Sequence, residues 1–189
     1  MSNDKFSQLF DEMDGLIANG AATEAAVRLR RVKVSTVPAS MRLRYARLAR
    51  RAAMPLRALR ALAPTVRPRG ISKSLATDAE KAEYAASLIS IGAVNEGLKL
   101  LSSVDSQKVP DSLLFTAFAY FAKWDYARSI PVLESYLRMT PTTSYAYLVG
   151  QLNLAPALIF CGEYDEARKT LSAAMEAAKQ RNLGTVLGN

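Results

Sequence analysis

Residues 154–171 read LAPALIFCGEYDEARKTL, and this stretch contains the turn between two helices. Gly162 suits the left-handed backbone that ends a helix, and Ala167 is followed four positions later by Leu171. A small residue followed in this way by leucine occurs five times along the 189 residues. The pairs are Ala25–Leu29, Ala58–Leu62, Gly97–Leu101, Ser129–Leu133 and Ala167–Leu171, at spacings of 33, 39, 32 and 38 residues. This period predicts an array of helical hairpins.

A turn-like residue precedes each of these small residues by five positions. The turn sites are Gly20, Ala53, Gly92, Trp124 and Gly162. No stretch alternates polar and apolar residues with the period of a strand, so we expect no sheet. We predict one all-α solenoid over residues 1–189, with repeats at about 5–37, 38–70, 77–109, 110–141 and 142–181. The segment 63–76 contains Pro64, Pro68 and Gly70 and is predicted to be a loop.

The composition excludes several classes of function. The chain has no histidine, which removes Ser-His-Asp and Cys-His catalysis and every histidine-ligated metal site. Cys161 is the only cysteine, which favours the cytoplasm, and we expect its thiol to be buried. No apolar run approaches the ~20 residues of a membrane span. We predict no enzyme, no catalytic residue, no cofactor and no metal.

The net charge of +8 is unevenly distributed. Residues 1–24 carry one base and five acids, and residues 78–189 carry ten bases and twelve acids. Residues 25–77 carry fourteen bases and no acid. Because this segment contains no carboxylate, we expect its arginines to lack local ion pairs and to be available to a partner.

The hairpin pattern resembles the tetratricopeptide repeat. In the last unit the small, large, glycine, tyrosine and alanine positions of that family are held by Ala155, Leu158, Gly162, Tyr164 and Ala167. The fourth unit matches through Leu113, Ala117, Tyr120, Tyr126, Ser129, Leu133, Tyr136 and Pro141. The resemblance implies a right-handed α-solenoid of about five antiparallel hairpins. The long spacings are also similar to the longer hairpins in the sensor portions of some bacterial regulators.

In this family the first helix of each repeat lines a concave groove, and the resemblance implies groove residues here. They are Arg44, Arg47, Arg50 and Arg51 in the second unit, Phe115, Phe118 and Phe121 in the fourth, and Asn153, Ile159 and Phe160 in the fifth. The arginines either form a solvated face or capture carboxylates or phosphates of a partner. The phenylalanines either contact the next repeat or form an apolar pocket for a partner helix or extended peptide.

Two hypotheses of function follow. The first is a non-catalytic interaction module, or scaffold, that binds a protein or peptide with acidic and apolar features. The alternative is a basic surface over residues 28–69 that binds nucleic acid, or a regulatory sensor module; only the arginines favour nucleic acid, and no nucleic-acid-binding motif accompanies them. Residues 182–189 have no charge and would cap a solenoid poorly, so we expect continuation past Asn189 or self-association through this end.

Overall fold

Ten α-helices form the architecture of residues 3–68 and 74–180, which are the residues that the computed structural model describes. The helices are α1 (Asn3–Ala18), α2 (Ala22–Arg30), α3 (Arg42–Arg51), α4 (Pro55–Val66), α5 (Asp78–Ser90), α6 (Val94–Leu101), α7 (Asp111–Ala122), α8 (Tyr126–Met139), α9 (Tyr145–Phe160) and α10 (Tyr164–Gln180). Two short 3-10 turns, Val34–Thr36 and Ala39–Met41, precede α3. No strand occurs in the described residues, and the all-helical prediction is confirmed.

The chain divides into two compact units, Met1–Val104 and Asp105–Asn189. The first unit contains the hairpins α1–α2, α3–α4 and α5–α6, and the second contains α7–α8 and α9–α10. Within a unit, α4 packs on α5 and α8 packs on α9, whereas the first hairpin contacts α3 through both α1 and α2. The repeat boundaries given above, and their union in one continuous solenoid, remain predictions.

All five predicted turn sites have the left-handed backbone conformation. The φ angles of Gly20, Gly92 and Gly162 are 80°, 87° and 84°, and those of Ala53 and Trp124 are 57° and 58°. Each site lies two positions after the last residue of the first helix of its hairpin, so the chain reverses at the same point in every unit. Glycine adopts this backbone without a steric penalty, whereas alanine and tryptophan do not.

The small residues and leucines that define the period occupy the core. Leu29, Leu62 and Leu133 are fully buried, and Leu101 is 5% exposed. The small residues Ala25, Ala58, Gly97, Ser129 and Ala167 are all buried. Leu171, on the last described helix, is only half-buried. The predicted core register is therefore confirmed at four of the five leucines.

Two expectations about local structure are wrong, and a third lies outside the described residues. Helix α4 continues through Pro64 to Val66, which is 7% exposed, so the first part of the predicted loop, residues 63–66, is helical. Cys161 is exposed, not buried, because it caps α9 at the hairpin turn instead of facing α10. The expectations about the C-terminal end, including self-association through it, fall on residues that lie outside the described ranges.

Gly97 shows how closely α5 and α6 approach. A methyl group at this position would lie 2.6 Å from Cγ1 of Ile89 and 3.1 Å from the carbonyl oxygen of Ala85. We expect Gly97→Ala to lower the free energy of unfolding by about 1–2 kcal/mol, because overpacking outweighs the better helix propensity of alanine. Urea denaturation followed by circular dichroism measures this loss.

The matched control is Gly15→Ala on α1, where an added methyl group meets nothing within 4 Å. This substitution should stabilise the protein by up to about 1 kcal/mol. If both variants shift in the same direction, the close approach of α5 and α6 is not what selects glycine at position 97.

Candidate functional site

The arginines of α3 form ion pairs with acids of the neighbouring hairpin. Arg44 pairs with Asp11 of α1, and its guanidinium carbon lies 5.8 Å from the centre of the Phe10 ring. Arg51 pairs with Asp14 one turn further along α1. The expectation that these arginines lack ion pairs is therefore wrong for Arg44 and Arg51. The basic segment contains no acid itself, but the adjacent repeat supplies the carboxylates.

Arg50 is also paired, on the other side of α3. Its Nε donates to Glu83 Oε1 at 2.6 Å, and its Nη2 donates to Oε2 of the same carboxylate at 3.4 Å. The Glu83 side chain is 3% exposed and that of Arg50 is 21% exposed. Such a two-point contact holds the guanidinium against α5, so Arg50 has a structural role.

Arg47 differs from its three neighbours. Its side chain is exposed, and it forms no ion pair with any residue that the structure describes. It lines a depression of about 470 Å³ between α1 and the start of α3. The other lining residues are Asp14, Ser40, Leu43, Arg44, Leu48 and Arg51. The depression thus combines three guanidinium groups, one of them uncompensated, with two leucine side chains.

The first unit carries the whole net charge of the protein. Residues 1–104 hold seventeen bases and nine acids, a net +8, whereas residues 105–189 hold eight of each. This count already includes the ion pair between Arg67 and Glu96, and Arg57 donates to the neutral Tyr45 hydroxyl at 2.7 Å, so neither contact reduces the excess. The excess positive charge gives this unit a field that attracts anionic partners.

The predicted aromatic groove residues lie in the second unit and are largely core. Phe115 is 6% exposed, and Phe118 and Phe121 are half-buried against the cluster around Leu133. Asn153 is half-buried, and its side-chain amide donates to the Val149 carbonyl of its own helix at 2.8 Å. The burial of Phe115 therefore favours a packing role for this side chain over contact with a partner.

Other aromatic side chains are exposed instead, at the hairpin turns of the second unit. Trp124 is 76% exposed, Phe160 is 62% exposed and Tyr164 is 64% exposed. The groove positions that the resemblance implies include Phe160 but not Trp124 or Tyr164, because those two flank the turns. The feature of the sequence that indicates an exposed aromatic group here is Trp124, a bulky residue at a turn site that favours glycine.

Within residues 3–68 and 74–180, no group of three or more Cys, Asp or Glu side chains is placed to hold a metal ion. Burial raises the pKa of Tyr136 to about 12, and the negative charge of Asp111 contributes to this rise. The Tyr136 hydroxyl therefore stays protonated near neutral pH.

No helix in the described part of the chain is long and apolar enough to cross a membrane.

Comparison with known proteins identifies the fold. No protein-family model and no curated protein matches the chain. A crystal structure of a Podosopora anserina kinesin light chain-like protein with TPR-like repeats aligns with a TM-score of 0.58 at 19% identity, covering 96% of this chain and 99% of the other. A crystal structure of MamA aligns with a TM-score of 0.59 at 14% identity, covering 90% of this chain and 96% of the other. With five confirmed turn sites and four confirmed core leucines, these alignments show that the chain has the α-solenoid fold of the tetratricopeptide repeat proteins.

Proposed function

We propose that this chain is a non-catalytic interaction module that binds an acidic segment of a partner protein at the depression around Arg47. The observation that carries the proposal is the difference between Arg47 and three other arginines of the same helix. Arg44, Arg50 and Arg51 are each engaged by a carboxylate of the same unit, whereas Arg47 is exposed and forms no ion pair with a described residue. A carboxylate of a partner protein would give Arg47 the ion pair that the other three arginines already have.

The neighbouring side chains support this role of Arg47. Asp11 and Asp14 hold Arg44 and Arg51 in place beside Arg47 and offset their charge, so Arg47 is the lining arginine whose charge is not offset by a described carboxylate. Leu43, which is half-buried, lies beside them and provides apolar contact area, whereas Leu48 is 2% exposed and belongs to the core. The site therefore suits a segment in which an aspartate or glutamate stands next to an apolar residue.

We expect Arg47→Glu to abolish retention of the partner while the thermal midpoint stays close to that of the wild type. Charge reversal repels an acidic segment, but Arg47 has no described ion pair whose loss would destabilise the fold. The measurement is affinity capture from the native host followed by mass spectrometry and by calorimetric titration of the recovered protein. Arg51→Glu is a less clean test, because it also removes the pair with Asp14.

Arg60→Glu is the matched control. Arg60 is an exposed arginine of α4 in the same unit, it does not line the depression, and its reversal changes the net charge by the same amount. A partner lost equally with Arg60→Glu and Arg47→Glu is held by the general positive field and not by this site. Undiminished binding by Arg47→Glu would refute the assignment.

The alternative function is nucleic-acid binding by the basic segment, and the net +8 of the first unit favours it. Binding to phosphates should weaken steeply as salt is raised, and Arg47→Glu and Arg60→Glu should reduce it by similar amounts. Titration of a labelled single-stranded oligonucleotide at several salt concentrations separates this behaviour from capture of a discrete protein.

A further inference from the structure

A continuous row of aromatic rings crosses the hairpin turns of the second unit. Here the aromatic row means Phe121, Trp124, Tyr126 and Phe160. The Phe121 and Tyr126 ring centres are 5.4 Å apart, and Tyr126 is stacked on Phe160 at 4.2 Å with an interplanar angle of 6°. Trp124 stands almost perpendicular to Tyr126, at 6.2 Å and 81°. The row runs from the turn between α7 and α8 to Phe160 at the end of α9.

The packing of the protein does not account for Trp124. Its backbone is left-handed, at a φ of 58°, which is unfavourable for a bulky residue. Three of the other four hairpin turns have glycine at this site. Because the side chain is 76% exposed, it also gains little by burial. A residue held in a disfavoured conformation without a packing benefit points to a function outside the folded core.

The surroundings of the row select an uncharged partner. Asp125 and Arg128, which flank Tyr126, neutralise each other at 3.4 Å. The second unit as a whole holds eight bases and eight acids. The second unit therefore lacks the excess charge of the first, and this neutrality favours an uncharged segment.

The geometry selects an extended, proline-rich segment. The nearly perpendicular Trp124 and Tyr126 rings form a corner in which a proline ring can pack against one ring face and one ring edge. Polyproline helices have no internal hydrogen bonds and are already ordered before binding, so aromatic surfaces bind them at a low entropic cost. The described residues contain no strand to which an incoming peptide could add as another strand. We propose that the aromatic row is a docking site for an uncharged proline-rich segment in polyproline II conformation.

The single tryptophan makes the test direct, because all tryptophan emission of the full chain comes from the proposed site. The probe is an end-capped peptide that repeats Pro-Pro-Ala, and the comparison peptide has the same length and repeats Ala-Ala-Gln. We expect a saturable blue shift of the emission with the first peptide and none with the second. No saturable change with the proline-rich peptide, or an equal change with both, would overturn the proposal.

Trp124→Gly is the informative variant, since glycine fits the left-handed turn better than tryptophan does. In calorimetric titrations it should bind the proline-rich peptide about tenfold more weakly, while its thermal midpoint is no lower than that of the wild type. Tyr145→Ala is the control, because Tyr145 is also exposed but starts α9, about 22 Å along the helix from Phe160. The two variants should differ in affinity; equal affinities of Trp124→Gly and the wild type would refute the site.

The competing explanation of the exposed aromatic row is that two copies of the chain associate through it. Sedimentation velocity of the wild type and of Trp124→Gly over a range of concentrations decides it. A monomer in both cases agrees with the proposal, whereas a dimer that Trp124→Gly abolishes would identify the row as an interface between copies and overturn it.

Discussion

Leu133→Ala is expected to lower the free energy of unfolding by about 2–5 kcal/mol. Leu133 is fully buried and lies in the core cluster of the second unit with Leu114, Tyr136 and Leu158. Truncation to alanine removes apolar contacts and leaves a cavity, because the surrounding helices relax only in part. Urea denaturation monitored by circular dichroism measures the loss.

Leu56→Ala provides the comparison for this experiment. Leu56 is 58% exposed on α4, so the same truncation should change the stability by no more than about 0.5 kcal/mol. Leu101, which is 5% exposed and holds the equivalent position in the first unit, should behave like Leu133. Equal stabilities of Leu133→Ala and the wild type would mean that the core register deduced from the repeat is wrong.

The positions of the turns and of the core could be predicted because they depend on short-range chemistry. A left-handed turn needs glycine or a tolerated substitute, and a close helix contact needs a small residue followed by a large one on the same face. Both requirements recur within every hairpin, so the period of the sequence exposes them. Even the two non-glycine turn sites, Ala53 and Trp124, were recognisable from their spacing to Ala58 and Ser129.

The ion pairs of the arginines could not be deduced by counting charges within a segment. Arg44 and Asp11 are 33 residues apart, and Arg51 and Asp14 are 37 residues apart. These separations equal about one repeat, because equivalent faces of adjacent first helices lie side by side. Counting charges by repeat position, instead of by continuous segment, would have found these partners.

The division of the aromatic residues between core and surface was also beyond the sequence. Phe115 and Phe118 lie on the same helix, three residues apart, yet one is buried and the other half-buried. Their environment depends on how neighbouring hairpins pack, and a degenerate repeat pattern does not determine this. Trp124 was different, since its place at a turn site follows from its spacing to Ser129.

Arg50→Ala is expected to destabilise the protein by about 3–5 kcal/mol, because it leaves the Glu83 carboxylate without its guanidinium partner in a buried position. Glu83→Ala should cost less, since the Arg50 side chain is 21% exposed and can turn towards water, whereas that of Glu83 is only 3% exposed. Thermal and urea denaturation of both variants measure the difference. A larger loss of stability for Arg50→Ala than for Glu83→Ala would show that Glu83 is the more deeply buried of the two charges.

The double substitution Arg50→Met with Glu83→Leu separates the cost of a broken pair from the value of the pair itself. Replacing both charges by apolar groups of similar size should restore most of the lost stability, because neither charge is then buried alone. Arg47→Ala on the exposed face of the same helix should leave the stability within about 0.5 kcal/mol of the wild type. If Arg50→Ala is equally harmless, the contact with Glu83 contributes little, and Arg50 joins Arg47 as a residue available for binding a partner.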